Sequence, residues 1–497
     1  MNAPLLVGLD AGTSSVKACI FKASGELVRQ ASQEVPIVAP RPGWAELDLE
    51  YYWQAVSGVL RETTAGLEGI AGLGLSVTTP TTVLFAEDGR AVRPGILYLD
   101  NRSTGEVSEL STALGGEAAF QEYVGNRPIP STCSVGTVCW IKREEPESWE
   151  KTTKIGFLNT FLVRQLTGEL AVDPTTASYS GLLRVSLPYH WDDKLIALAK
   201  IPANLLPALR PPYARAGTVT KRAAEETGLP PGLPVAVGSA DTAAASFTLG
   251  LKRHGDAFES AGTSDVLTFC LEEPNFDPAF LNRAHVLPGR WLAHGAMSTA
   301  GGAIDWLRRQ VFRELPTPFD LEREGEKSPP GAKGIIFLPY LAGERSPIFD
   351  PAARGLWLGL RLNTERADLI RAVYEGVAFA LRQIYEKAKA RWGFELSSIP
   401  CVGGAAQSRL GLQVRADVLG LTYKVLSFQN VAAYGAAMLG GIAGGIFRGP
   451  LDPSIPPLSS TGQEFTPNRG NKNLYDKLFS IFDGLYPQIK EAMHALL

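Results

Sequence analysis

Two aspartates stand where an apolar run gives way to small, hydroxyl-bearing residues. The first is Asp10, in the stretch LDAGTSSVK. The second is Asp241, which closes LPVAVGSAD and is followed by TAAASFTLG. Small residues after an acid leave backbone N–H groups and hydroxyls free to meet an anion, and Gly12 lets the backbone come close to it. An acid at such a turn can hold a divalent cation or its waters beside phosphate oxygens. Lys17 could add a positive charge there or point to solvent. The letters AGTS recur almost half a chain length later, at Ala261–Ser264, again between two extended runs. A single turn of this kind reads equally as an unliganded hairpin, with Asp10 as a turn-stabilising Asx residue. Two copies in similar contexts point to a pair of anion-facing hairpins. Asp241 can be a general base at a strand tip or a cap for the helix starting at Thr242.

The elements that must carry these residues alternate between strand and helix. Residues 4–9 and VKACIF predict the first strand pair, and LVRQASQEV continues extended. Helical spacing runs from Leu49 to about Thr64. IAGLGLSV and TTVLFAEDG are apolar, β-rich segments bounded by Gly and Pro. Helical patterns dominate between Asn101 and Thr167. The second half restarts with strands around 255–271. It continues with a helix after Gly301–Gly302, a strand at GIIFLPYL, a long helix from about Thr364 to Ala390, and a strand before GGAAQS. Such alternation predicts α/β domains with mixed sheets. Pro and Gly cluster at 210–234 and 449–469, the first near a domain boundary and the second ahead of an amphipathic C-terminal helix.

Bulk properties exclude several classes. The chain has 497 residues, 45% of them apolar and 20% charged, with a net charge of −3. That length predicts two domains, and that charge gives no footprint for a nucleic-acid partner. No run of about 18 apolar residues suggests a membrane span, and the N-terminus does not read as a signal peptide. The five cysteines, Cys19, Cys133, Cys139, Cys270 and Cys401, are scattered without a Cys-x-x-Cys. They predict a reducing, cytoplasmic setting rather than a disulfide frame or a zinc site. His294 reads as a structural histidine, Arg345 and Arg354 as loop-fixing residues, and KREEPESWEK as a solvated helix end.

Several separate segments, taken in order, resemble the FGGY family of carbohydrate kinases. They are GLDAGTSSVKACIF, GRAVRPGILYLDNRS, TGELAVDPTTASYSGLL, GSADTAAASFTLG, AGTSDVLTF, FLPYLAGERSPIFDPAARGLWLGL, DLIRAVYEGVAFALR and VGGAAQSRLGLQVRADVLG. The resemblance runs from about Leu5 to about Phe447. It implies an α/β fold of two duplicated actin-like (ribonuclease H-like) ATPase domains with a cleft between them. The domains would span 1–245 and 246–450, with 451–497 as a C-terminal extension. It further implies ATP-dependent phosphorylation of a small sugar or polyol, with Mg²⁺, in a cytoplasmic enzyme with no nucleic-acid or membrane partner and with a homodimer as the assembly kept open. The chain has neither a G-x-x-x-x-G-K-[ST] loop nor the protein-kinase His-Arg-Asp set. The paired hairpins would then serve as the phosphate cradle.

Carried over position by position, the resemblance makes Asp241 the catalytic acid and Asp10 the metal-linked acid. Gly12, Thr13, Ser14 and Lys17, with Gly262, Thr263, Gly302, Gly404, Ala405 and Gln407, would contact the nucleotide. Thr78, Thr79, Asp241 and Thr242 would contact the sugar. Thr78–Thr79–Pro80 stands where relatives acting on xylulose usually carry Met-His-Gly and those acting on glycerol Arg-Glu-Thr. Thr242 replaces the usual Asn or Gln, offering fewer hydrogen-bond donors, and Thr137 stands in place of a usual Lys. The expected substrate is a ketopentose such as xylulose, phosphorylated on a terminal hydroxyl. Ribulose, erythritol or glycerol-like compounds are the alternatives, as is a non-catalytic actin-like sensor, which the intact Asp10, Asp241 and hairpins argue against.

Overall fold

A computed structural model describes residues 3–426, 428, 430–458 and 462–496. Two large sheets carry it. In the first, Leu5–Ala11, Ser15–Lys22 and Leu27–Glu34 form an antiparallel meander, and Ile70–Val77 lies parallel to Leu5–Ala11 on its other side. In the second, Ala257–Ala261, Asp265–Leu271 and Trp291–Ala296 repeat that meander, and Ser398–Val402 lies parallel to Ala257–Ala261. The repeated four letters thus mark a repeated architecture. Burial explains the strand sequences. Leu5–Ala11 is central and covered on both faces, so LLVGLDA shows no alternation. Leu27–Glu34 lies at the edge and alternates between half-buried and exposed residues at its start.

A four-stranded sheet of Glu46–Leu47, Gly95–Leu97, Thr81–Phe85 and Lys154–Phe157 is inserted into the first half. Thr78–Thr79–Pro80 is the short link between Ile70–Val77 of the large sheet and Thr81–Phe85 of this insertion. That position explains why three small residues sit there: the chain leaves one sheet and enters another within three residues. The 233–241 run is not one strand. It is Pro234–Ala236 and Ser239–Ala240, separated at Gly238, whose φ of 87° falls in the left-handed region that glycine favours.

The helix Val431–Ala443 comes late in the chain but packs on the first sheet. Gly8, Gly72 and Gly74 make this possible. A Cβ at Gly8 would stand 1.8 Å from the Ala433 carbonyl oxygen, one at Gly72 2.1 Å from that of Gly440, and one at Gly74 1.8 Å from that of Ala436. The helix Asp241–Thr248 packs against the same late helix, with Gly435 against Ala244. These two helices lie in an apolar core that takes Phe21 from the first sheet and Phe258 and Cys270 from the second. We propose the division 1–245, 246–450 and 451–497 as the domain plan, with the qualification that the 431–443 helix is structurally shared. The terminal helix Lys472–His494 joins the core of the second half through Tyr475, Phe482 and Tyr486.

Candidate active site

The first hairpin is held from three directions. Its turn closes by the Gly12 N–H donating to the Ser15 carbonyl at 3.0 Å. Asp48 caps the helix Leu49–Thr64 by accepting from the N–H groups of Glu50 and Tyr51. That helix delivers Tyr52, whose hydroxyl donates to the Gly12 carbonyl at 2.8 Å. Thr13 and Thr78 share a hydrogen bond between their hydroxyls at 2.8 Å, so the turn is tied to the link at Thr78–Pro80. Ser14 is exposed at the tip. Lys17 does not extend freely into solvent: its ammonium donates to the Asn430 side-chain oxygen at 3.0 Å, joining the hairpin to the start of the shared helix.

Asp10 faces this turn from the strand end and accepts from the Ser76 hydroxyl at 2.8 Å. Burial, with a smaller push from the charge of Asp241, lifts its carboxyl from the ordinary 3.8 to about 6. The Ser76 bond and Lys17 oppose the rise. A raised carboxyl stabilises the folded state when protonated. That contribution is complete below about 4, the unfolded value, and is lost as pH climbs through about 6. Without nucleotide or cation, the Tm difference between wild type and Asp10→Asn is therefore expected to move against wild type from pH 5 to pH 7. Thermal melts across that range check it.

Asp241 is reached through pairing. Ser239 and Ala240 lie opposite Ser76 and Val77, so the residue after them stands beside the one after Val77. Asp241 thereby joins Asp10 and Thr78 at one end of the first sheet. It is the first residue of its helix, not the residue before it, and Ala240 holds the cap position. Its carboxylate accepts from the Thr242 N–H at 2.6 Å. Burial raises its pKa, and the guanidinium of Arg283 and the Thr242 bond work against that rise. The Thr242 hydroxyl is buried with no hydrogen-bond partner among the described residues.

The second hairpin has a different chemistry. Ser260 takes the place that Asp10 has in the first, so the repeat is not symmetric in charge. Asp265 accepts from the Gly262 N–H at 2.9 Å and from Arg415 at 2.6 Å, and Arg415 also meets Glu259 at 3.0 Å. The N–H groups of Gly301 and Gly302 donate to the Gly262 and Thr263 carbonyls at 3.0 and 2.9 Å, which fixes the helix Gly301–Trp306 on the turn. Beside this assembly lies a cavity of about 770 Å³. Gly262, Thr263, Gly302, Gly404, Ala405 and Gln407 all line it. Six residues from three separated segments thus meet at one cavity, which is large enough for a nucleotide. Gly12, Thr13, Ser14 and Lys17 stand on the other sheet and do not line it.

Arg415 is a residue that sequence reading passed over. It lines the cavity and holds the second hairpin through Asp265. Arg415→Met leaves Asp265 and Glu259 buried without a counter-charge, so it is expected to lower stability by about 3–5 kcal/mol and, through the loosened hairpin, to weaken ATP binding on the order of tenfold with the sugar KM little changed. Steady-state kinetics with each substrate varied in turn checks the split. Tyr52, Ser76 and Arg283 were also missed. Arg283 left no local signal, because its burial on the strand Leu281–Ala284 arises only in the fold. The expected structural roles elsewhere hold in the geometry. His294 is buried, bonds Thr268, and is kept neutral by burial. Arg345 donates to the Met297 carbonyl at 2.6 Å, and Arg354 to those of Pro351 and Ala353.

Comparison with known proteins decides the family. A sequence model of the N-terminal domain of the FGGY family of carbohydrate kinases matches residues 5–248, and its C-terminal counterpart matches 257–444. The chain belongs to the FGGY family of carbohydrate kinases. It is 27% identical to a xylulose kinase of Staphylococcus epidermidis over 99% of this chain and 98% of that one. It is 25% identical to a gluconokinase of Bacillus subtilis, over 99% of each. Among solved structures, xylulose kinase from Rhodospirillum rubrum superposes with a TM-score of 0.90 at 30% identity, over 99% of this chain and 100% of that one. The protein is thus a sugar kinase, ATP-dependent as its family is, built on two actin-like, ribonuclease H-like halves. Among the described residues, no helix of this FGGY kinase is long and apolar enough to cross a membrane.

Proposed function

We propose that this kinase transfers the γ-phosphoryl group of ATP to a terminal hydroxyl of a ketopentose such as xylulose. The observation that carries the reading is the convergence of Asp10, Thr78 and Asp241 at the end of the first sheet, with the nucleotide-sized cavity on the second. The names of its relatives support the sugar class.

In this reading the sugar lies against Thr78 and Thr79, and its terminal hydroxyl meets Asp241. The Asp241 carboxylate takes the hydroxyl proton as oxygen attacks phosphorus. Arg283 keeps Asp241 available as a base by opposing the effect of burial on it. Gly404, Ala405 and Gln407 hold the adenosine end, and Gly262, Thr263 and Gly302 the phosphates. From the opposite sheet, the first hairpin offers the N–H groups and hydroxyls of Gly12–Ser14, and Lys17 lends charge.

The residues fit a divalent cation that arrives with the nucleotide. No cluster of three or more His, Cys, Asp or Glu among the described residues could hold a metal. Asp241 stands close enough to push the Asp10 carboxyl up, and Asp10 would hold Mg²⁺ together with phosphate oxygens and waters. Bound there, Mg²⁺ would neutralise charge on the phosphates. The five cysteines are all free, in keeping with a cytoplasmic setting.

The test is ADP release with Mg²⁺–ATP against xylulose, ribulose, glycerol, erythritol and sugar acids. A response led by xylulose or ribulose supports the reading. A response to a polyol or a sugar acid alone replaces the ketopentose with that compound.

A further inference from the structure

Arg283 occupies an unusual place for a charged residue. It is 4% exposed and sits on Leu281–Ala284, the edge strand of the second sheet. The first half of the chain pins that strand. The Asn282 N–H donates to the Asn126 side-chain oxygen at 2.7 Å, and the Ala284 N–H to the Ser178 hydroxyl at 2.9 Å. Between these two anchors Arg283 reaches the sugar link, where one terminal nitrogen donates to the Thr79 hydroxyl at 3.2 Å. Its guanidinium carbon lies 4.2 Å from the centroid of the buried Tyr179 ring. Its Nε is buried with no partner, and it makes no ion pair within 4.0 Å among the described residues.

A buried guanidinium is costly unless its donors are used. Thr79 takes one N–H of five, and a ring face does not accept the in-plane ones. Thr242, next to Asp241, offers one hydroxyl where an amide would give two donors. Arg283 supplies a planar fork of them from the second half. Such a fork matches two acceptor oxygens in one plane better than it matches scattered tetrahedral hydroxyls.

We propose that Arg283 is the specificity-determining residue of the sugar site, binding an sp² oxygen and its neighbour at the end of the substrate away from the phosphorylated hydroxyl. This rests on the reading of the site as a sugar kinase for ketopentoses. The same chemistry comes from two sources, the carbonyl and adjacent hydroxyl of a ketose or the carboxylate of a sugar acid. A reduced polyol has neither.

The experiment compares kcat/KM for xylulose, xylonate and xylitol in wild type, Arg283→Gln and Arg283→Lys, with ATP KM measured alongside. Wild type is expected to favour xylulose over xylitol. Arg283→Gln is expected to lower turnover on both compounds, because Asp241 loses the charge that opposes its burial, and to cut xylulose on the order of tenfold further than xylitol, so that discrimination collapses and ATP KM holds. Arg283→Lys keeps the charge without the fork and is expected to lose most of the same discrimination; it serves alone if Arg283→Gln does not fold. Unchanged discrimination in the variants overturns the role of Arg283 and leaves the ketopentose reading standing. Wild-type preference for xylonate overturns the ketopentose reading, and the variants then test Arg283 by the xylonate-to-xylitol ratio. Wild-type preference for xylitol overturns both.

Discussion

Asp241→Asn is expected to lower turnover by about a hundredfold to ten-thousandfold, the range for a lost general base, and to leave folding and ATP binding intact. The reason lies in the local geometry. The Asp241 carboxylate accepts from the Thr242 N–H at the start of the helix, and an asparagine oxygen accepts the same bond. What asparagine cannot do is take a proton. Burial holds the Asp241 pKa up, so an ionised Asp241 is a charge the fold carries at some cost. Neutralising it is expected to keep Tm level or raise it. A purely capping role predicts the opposite pattern, a small stability change and full turnover. Parallel kcat, Tm and ATP-binding measurements separate the two. Turnover within a few-fold of wild type would remove Asp241 as the base.

The second large effect is structural. Gly74→Val is expected to destabilise the protein by at least about 4 kcal/mol, beyond the ordinary range for point substitutions. A Cβ there would stand 1.8 Å from the Ala436 carbonyl oxygen and 2.7 Å from the Gly440 nitrogen. Both are backbone atoms of the shared helix, so no side chain can rotate away and the helix itself must lift. Lifting it separates the first sheet from the helix against which the Asp241 helix packs. The expected readout is a Tm lower by on the order of 10 °C, with turnover reduced even at temperatures where the variant is folded. Gly105→Ala is the control. Gly105 lies in the helix Thr104–Leu114, and a Cβ added to it would meet nothing within 4 Å, so a neutral or slightly stabilising change is expected. Equal melting of Gly74→Val and wild type would contradict the close packing of sheet and helix.

These two residues also show what the sequence could and could not convey. Asp241 was legible because a strand tip, an acid and a run of helix formers are neighbours in the chain. The repeated hairpins were legible for the same reason, since a turn is a local object. The nucleotide cavity was legible only by resemblance. Gly262, Gly302 and Gly404 are far apart in sequence and meet through the parallel pairing of Ala257–Ala261 with Ser398–Val402 and the antiparallel pairing of Asp265–Leu271 with Trp291–Ala296, which leave no local trace. Gly8, Gly72 and Gly74 looked like ordinary small residues in apolar strands, because the helix that requires them arrives more than 350 residues later. Arg283 was missed because its partners, Thr79 and Tyr179, belong to the other half. The one-residue shift at Asp241, from expected cap to first helical residue, follows from the short strand Ser239–Ala240, which keeps Ala240 extended.

The central question is where the phosphoryl group goes. The most direct measurement is ³¹P NMR of a reaction containing the protein, Mg²⁺–ATP and xylulose. The expected product is a phosphomonoester on the terminal hydroxyl of the sugar, formed one for one with ADP. ADP with inorganic phosphate alone, or no ADP with any sugar offered, would contradict transfer to a sugar hydroxyl.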